Sequence, residues 1–334
     1  VMSLALPPDT IIAPLRVVWS SPDDDSVSRG RLRHLVLGDP RKPSSRRAKR
    51  LLSEHPERVN LMVGAPDTMV NLRQRFESHH AVNDAASQEA FANFIARQAS
   101  VVLDMAERQL KGGRYKVPRH VAATLMASQE YNEELDRLAE KSGKSKDELL
   151  REAAEYMDEM VSTPSSFWLD VYARFNTFCL GLGYEEEIVY DKAAVEKMRQ
   201  VVRNNPSMLL WTHKTYLDGM VVPKVMYDND FPMPHMFGGA NMNFPGLGYL
   251  LHRAGAIFIK RSFQDNELYK ITLRHYIGYL MEKRFPMNWA FEGTRSRMGK
   301  LMPPRYGLLK YVLEACHSTD AENIHIIPIS ISYD

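Results

Sequence analysis

Cysteine is nearly absent: the 334 residues hold two, Cys179 and Cys316, far apart in the chain. Two distant thiols exclude a disulfide framework and a cysteine-rich metal site, and they suit a reducing compartment. A surplus of one charge is missing too. The formal net charge is +2, so no global field demands nucleic acid as a partner. No apolar run approaches the roughly 20 residues of a membrane-spanning helix. The opening Val1-Met2-Ser3-Leu4-Ala5-Leu6 lacks the basic start and apolar length of a signal peptide. Internal repeats and low-complexity tracts are lacking, and nothing in the residue pattern calls for a metal or another cofactor.

What is present describes a folded protein. Apolar residues make up 44% and charged residues 25%, ordinary values for a globular core. The 18 methionines read mainly as core filling, though Met also suits irregular apolar surfaces that accept flexible ligands. The charge is unevenly placed. Arg29 to Arg50 carries nine Lys/Arg against one acid, and Leu251 to Lys300 carries ten against four. The first of these reads either as a solvated loop or as a patch that docks anionic lipid headgroups.

Taken in order, residues 1–165 read as a mostly helical region with strand-like pieces at Leu15–Trp19 and Val59–Val63. Helical patterns run from Ser87 to about Lys111 and from Pro118 to Tyr131. Ser145, with Glu148 three residues on, forms a capping-box signature that opens a helix to Val161. Thr163-Pro164-Ser165-Ser166 punctuates the chain and sets the expected boundary. From 166 to 334, strand candidates at 207–212, 255–260, 287–291 and 325–331 alternate with helical patterns. Those helices fall at 217–227, 264–284 and 304–317. The alternation predicts an α/β fold, a mixed, mainly parallel sheet flanked by helices. The last candidate strand runs close to the end of the chain, which reads as part of a longer protein.

Polar groups gather where these strands end. Ser207-Met208-Leu209-Leu210 leads into Trp211-Thr212-His213-Lys214-Thr215-Tyr216-Leu217-Asp218, which places His213 and Asp218 in a His-x4-Asp spacing at a strand-to-helix junction. An imidazole takes up a proton near neutral pH, and a carboxylate can fix its tautomer and stabilise the cation. Tyr216 and Gly219 read as packing and turn residues. The strand Gly255–Ile259 ends on Lys260-Arg261. Trp289-Ala290-Phe291 runs into Glu292-Gly293-Thr294-Arg295-Ser296-Arg297-Met298-Gly299-Lys300, whose arginines can pair on phosphate oxygens and whose glycines permit close backbone approach. This turn is not a nucleotide-binding P-loop: Thr294 stands where the first glycine belongs, and Leu301 where the hydroxyl residue belongs. Pro328 within Ile326–Ile331 implies an edge strand or a strand end.

In this order the four segments resemble the glycerolipid acyltransferase family. Within it the chain is most similar to the long, PlsB-type glycerol-3-phosphate acyltransferases, through Asn241-Met242-Asn243-Phe244-Pro245, Arg261-Ser262-Phe263 and Lys300-Leu301-Met302-Pro303-Pro304. The match covers roughly residues 167–334, and those enzymes continue well past the fourth segment. The resemblance implies a catalytic pair, His213 and Asp218. Around the substrates it implies Phe258, Arg261, Glu292, Gly293, Thr294, Arg295, Ser296, Arg297 and Pro328. It implies acyl transfer from acyl-CoA or acyl carrier protein to the sn-1 hydroxyl of glycerol 3-phosphate, with dihydroxyacetone phosphate or lysophosphatidate as alternative acceptors. It also implies work at a membrane lipid surface, as a peripheral or monotopic protein on the cytoplasmic face of the cell membrane. A non-catalytic binder of anionic lipid is the competing reading, and the His213–Asp218 pair speaks against it. No metal and no cofactor are implied.

Overall fold

The structure, a computed structural model, describes residues 6–19, 39, 41–78, 86–184, 187–260, 265–319 and 321–333. Residues 29–38 of the basic segment lie outside these, and so does Arg261. The chain groups into two compact units, Val1–Gly112 with Ala127–Asn132, and Gly113–Met126 with Glu133–Asp334.

The first unit holds strands β1 (Ile11–Ile12), β2 (Leu15–Trp19), β3 (Val59–Val63) and β4 (Asp67–Thr68). Its helices are α1 (Ser45–Glu54), α2 (Met69–Glu77) and α3 (Ala86–Lys111). β1 pairs with β4 and β2 with β3, both antiparallel. Met69, Leu72 and Phe76 recur at helical spacing on α2 and pack on Phe91 and Phe94 of α3, the single apolar stripe expected of a surface helix. Thr68 caps α2 by accepting from the Asn71 N–H at 3.3 Å.

Helices α4 (Val121–Met126), α5 (Gln129–Ser142), α6 (Lys146–Met160) and α7 (Ser166–Gly181) follow. The helical pattern over 118–131 thus divides in two. Ser128 is the reason: its hydroxyl accepts the Tyr131 N–H at 3.4 Å and starts a new helix. The Ser145–Glu148 capping box forms with both reciprocal bonds, 2.9 and 3.3 Å.

The second unit is built on a five-stranded sheet of β5 (Ser207–Trp211), β6 (His235–Gly239), β7 (Ala256–Ile259), β8 (Met287–Ala290) and β9 (His325–Ile329). Its spatial order is β7-β6-β8-β5-β9, and every pairing in it is parallel. Helix α8 (Lys192–Asn204) leads into β5, and the crossover helices are α9 (Asp218–Asp228), α10 (Leu247–Arg253), α11 (Glu267–Glu282) and α12 (Gly307–His317). Leu209 and Trp211 on one face of β5 pack with Val202, Val222, Met226 and Ile331. Helix α11 buries most of its residues between Leu268 and Met281, leaving Lys270, Arg274 and His275 partly exposed, and it packs against α6 and α12. β9 is an edge strand, which is where its Pro328 can sit without breaking a ladder.

Two consequences position the site. With all five strands parallel, their C-terminal ends share one edge of the sheet, where open α/β sheets hold ligands. The order places β5 between β8 and β9, so the loop after β5 has the turn after β8 on one side and the segment after β9 on the other.

Candidate active site

The chain leaves β5 at Trp211 and enters α9 at Asp218. His213 Nδ1 lies 3.2 Å from Asp218 Oδ2, with the imidazole 21% and the carboxylate 1% exposed. The same Oδ2 accepts the backbone N–H of Lys214 at 2.6 Å and of Thr215 at 2.8 Å. Oδ1 accepts the Thr215 hydroxyl at 3.2 Å and the Tyr333 hydroxyl at 2.5 Å. Burial alone would raise the Asp218 carboxyl, but the bonds from His213, Tyr333, Thr215 and Lys214 outweigh it and hold it below the usual carboxylate range. An ionised acceptor at Oδ2 requires the His213 proton on Nδ1, which leaves Nε2 as the basic nitrogen.

Helix α9 carries Pro223 in its interior, which cannot donate to the carbonyl four residues back, that of Gly219. The Tyr172 hydroxyl from α7 fills that acceptor at 3.3 Å. The helix that starts at Asp218 is therefore anchored within one residue of the carboxylate that faces His213.

Glu292 is 1% exposed. Its Oε1 accepts the His213 N–H at 3.2 Å, and its Oε2 accepts the Met302 N–H at 3.1 Å. The carboxylate ties the histidine loop to the far arm of the β8 turn. Further stitches run the same way: Phe291 N–H to Trp211 O at 3.3 Å, Ser296 N–H to His213 O at 2.8 Å, and Arg305 N–H to Phe291 O at 2.7 Å. Gly293 adopts φ +65°, a backbone conformation that L side chains rarely take, so this turn favours glycine. The Ser296 side chain is 2% exposed and its Oγ has no partner within the described protein. Arg295 stacks its guanidinium 4.6 Å from the Tyr216 ring centroid. Tyr216, read from sequence as packing, is 75% exposed and serves as that platform. Thr294 and Arg297 are exposed at the same rim. Residues 293–306 contain Arg295, Arg297, Lys300 and Arg305 and no acid.

The structure thus brings His213, Asp218, Glu292, Gly293, Arg295 and Ser296 to one end of the sheet. Phe258 lies elsewhere, in a core cluster with Tyr172, Leu251, Ala254 and Ala256. Pro328 pairs in register with Leu210 on the outer edge of β5. β7, the strand before Arg261, is separated from β8 by β6. Residues that the motifs did not single out complete the site, namely Thr215 and above all Tyr333, 115 positions from its carboxylate partner. A second histidine–hydroxyl pair, His235 Nδ1 and Ser162 Oγ at 3.0 Å, is fully buried. Burial pushes that imidazole down to about 3, so it is a neutral core group and not a base within reach of solvent.

Residues 192–332, which hold the parallel sheet, the His213–Asp218 pair and the cationic turn, match the Acyltransferase family model. That match spans the whole five-stranded sheet and so places an acyltransferase domain in this part of the chain. It is 32% identical over 210 residues to the acyltransferase PlsB1 of Mycobacterium tuberculosis, covering 63% of this chain and 33% of that protein. The Mycobacterium bovis PlsB1 protein matches to the same extent. Human dihydroxyacetone phosphate acyltransferase is 30% identical over 225 residues, covering 65% of this chain and 32% of the relative. The chain spans about a third of the length of the curated relatives it matches.

Proposed function

We propose that this domain transfers a fatty acyl group from an acyl thioester, acyl-CoA or acyl carrier protein, to the sn-1 hydroxyl of glycerol 3-phosphate, giving lysophosphatidate. The observation that carries the reading is the His213–Asp218 pair set against the cationic β8 turn. His213 Nε2 takes the proton of the attacking hydroxyl, and the oxygen adds to the thioester carbonyl. The tetrahedral oxyanion collapses with expulsion of the thiolate, which receives the proton back from the imidazolium. No acyl-enzyme is required. Arg295, Arg297 and the unpartnered Ser296 hydroxyl are assigned to the phosphate, with Arg261, two positions past the end of β7 in the sequence, as a further candidate. Dihydroxyacetone phosphate is the second acceptor reading, favoured by the similarity to the human enzyme of that name.

The test is direct. The purified chain is offered palmitoyl-CoA or palmitoyl carrier protein with glycerol 3-phosphate, dihydroxyacetone phosphate and lysophosphatidate in turn, and products are resolved by mass. A 1-acyl product from glycerol 3-phosphate supports the proposal. Transfer to lysophosphatidate alone overturns it.

The arginine assignment has its own expected result. Losing one charge-assisted hydrogen bond costs about 1.5–3 kcal/mol, roughly 10- to 150-fold in affinity. Arg297 is exposed, so the low end applies. Arg297→Ala should raise KM for glycerol 3-phosphate about tenfold with little change in KM for acyl-CoA. A rise confined to acyl-CoA assigns the guanidinium to the CoA phosphates instead.

Among the described residues no helix is long and apolar enough to cross a membrane. We place the protein on the cytoplasmic face of the cell membrane, peripheral or monotopic, because apolar side chains stand among the cations at the rim of the site. Met298 is 79%, Leu301 64% and Tyr306 66% exposed. Each basic residue near an anionic surface contributes about 1 kcal/mol, screened by salt. Flotation should therefore show stronger binding to phosphatidylglycerol-containing liposomes than to neutral ones, weakening as salt rises. Binding indifferent to both lipid charge and salt removes the electrostatic part.

A further inference from the structure

We propose that Tyr333 is a positioning residue of the catalytic pair: its hydroxyl, donated to Asp218 Oδ1, holds the carboxylate so that Oδ2 faces His213 Nδ1. This rests on the assignment of His213 as the base. The geometry divides the two oxygens cleanly. Oδ2 takes three N–H donors, from the His213 ring and the backbone of Lys214 and Thr215. Oδ1 takes hydroxyls only, Tyr333 at 2.5 Å and Thr215 at 3.2 Å. The two are not equivalent. Thr215 Oγ1 also lies 3.2 Å from the Tyr333 oxygen and accepts the Leu217 N–H at 3.0 Å, so its one proton is shared between two acceptors. The tyrosine proton has one short, charge-assisted partner.

The topology makes the contact. β9 pairs with β5, so the segment that leaves β9 runs beside the loop that leaves β5. Tyr184 packs on the Tyr333 ring at 5.3 Å between centroids and limits its swing. Burial, and next the bond to Asp218, raise the Tyr333 phenol above its ordinary value, so it remains a donor at any working pH.

Five donors on one carboxylate also temper its basicity. A less basic Asp218 stabilises the imidazolium less. Among the described residues, the other ionisable groups beside the pair are Tyr216 on the same loop, Glu292 and Arg295 on the β8 turn, and Tyr184 behind Tyr333.

Tyr333→Phe keeps the ring and deletes the donor. Turnover should fall about tenfold, with both Michaelis constants within threefold. The acid limb of the kcat/KM profile should move up by about one pH unit, the scale of one lost hydrogen bond to a carboxylate. The His213 titration midpoint, followed by NMR with 15N-labelled histidine, should move the same way. In an Asp218→Asn background the same substitution should cost nothing further, because residues acting as a unit are non-additive. Tyr184→Phe, which keeps the ring contact, should leave profile and midpoint in place. If Tyr333→Phe does not fold, the unmodified tyrosine still reports: its 13Cζ shift should move on Asp218→Asn and not on Tyr184→Phe. A full tenfold loss retained in the Asp218→Asn background overturns the proposal, as does an unmoved midpoint, or an unmoved 13Cζ shift. The NMR readouts need no turnover. A chain that transfers to none of the acceptors sinks the proposed reaction and leaves the Tyr333 assignment to the midpoint.

Discussion

His213→Ala is expected to lower acyl-transfer turnover by about 10²–10⁴-fold, the usual worth of a positioned general base, while glycerol 3-phosphate binding stays within a few-fold. The separation follows from where the groups sit. The imidazole is held by the Asp218 carboxylate on one nitrogen, and the cations assigned to the phosphate come from the turn after β8. The backbone of His213 is retained in the variant, so its N–H bond to Glu292 and its carbonyl bond from Ser296 persist. Fold and phosphate site should survive the change. Asp218→Asn should be nearly as damaging. Two backbone N–H groups point at Oδ2, so the amide's own oxygen settles there and keeps the His213 contact, but the negative charge that stabilises the imidazolium is lost. The check is steady-state turnover together with calorimetric binding of glycerol 3-phosphate. Near-normal turnover in a folded His213→Ala protein removes the histidine as base.

Glu292 comes second in expected effect, and the reason is structural. The resemblance to known acyltransferases places this residue among those around the substrates. In the fold its oxygens accept the N–H groups of His213 and Met302, and the side chain is 1% exposed. Glu292→Ala orphans both donors at about 1–3 kcal/mol each. It should destabilise the second unit by several kcal/mol and cut turnover by about 10²-fold as the histidine loop drifts. Glu292→Gln is not a conservative change here. One backbone N–H would keep its acceptor and the other would meet the amide NH₂, donor against donor. The glutamine variant should therefore lose turnover as well, with KM for the acceptor little altered. Thermal melts and a kcat-against-KM split decide it. A stable glutamine variant with normal kcat and a large rise in KM for glycerol 3-phosphate assigns Glu292 to the substrate hydroxyls.

Much of the second unit was legible as a pattern because its periodicities are local. The strand candidates at 207–212 and 287–291 lie where β5 and β8 formed, and α9, α11 and α12 each fall within three residues of the expected helices at their starts and ends. β6 was missed. Its segment, Pro232-Met233-Pro234-His235-Met236-Phe237-Gly238-Gly239, carries two prolines and two glycines, the residues that mark turns. Only the ladders from β7 and β8 make it a strand, and that information lies outside the segment. The parallel direction of every pair was likewise open between mainly parallel and mixed until the register was seen.

The site divides along the same line. Sequence by itself determined the His213-x4-Asp218 spacing and the junction that carries it, because both residues lie within one loop and one helical turn. It determined the cationic character of the β8 turn, since Arg295, Arg297 and Lys300 lie within six residues. The tertiary structure alone decided the strand order, which sets β8 and β9 on either side of β5 and puts β6 between β7 and β8. It thereby decided that Glu292 reaches the His213 backbone and that Tyr333 reaches Asp218. It also decided that Tyr216 lies under a guanidinium and that Phe258 belongs to the core. The physical reason is range. Spacing within a loop or a helical turn follows from backbone geometry, whereas a hydrogen bond between residues 79 or 115 positions apart depends on which strands pair, and that choice is made by burial of whole faces at once.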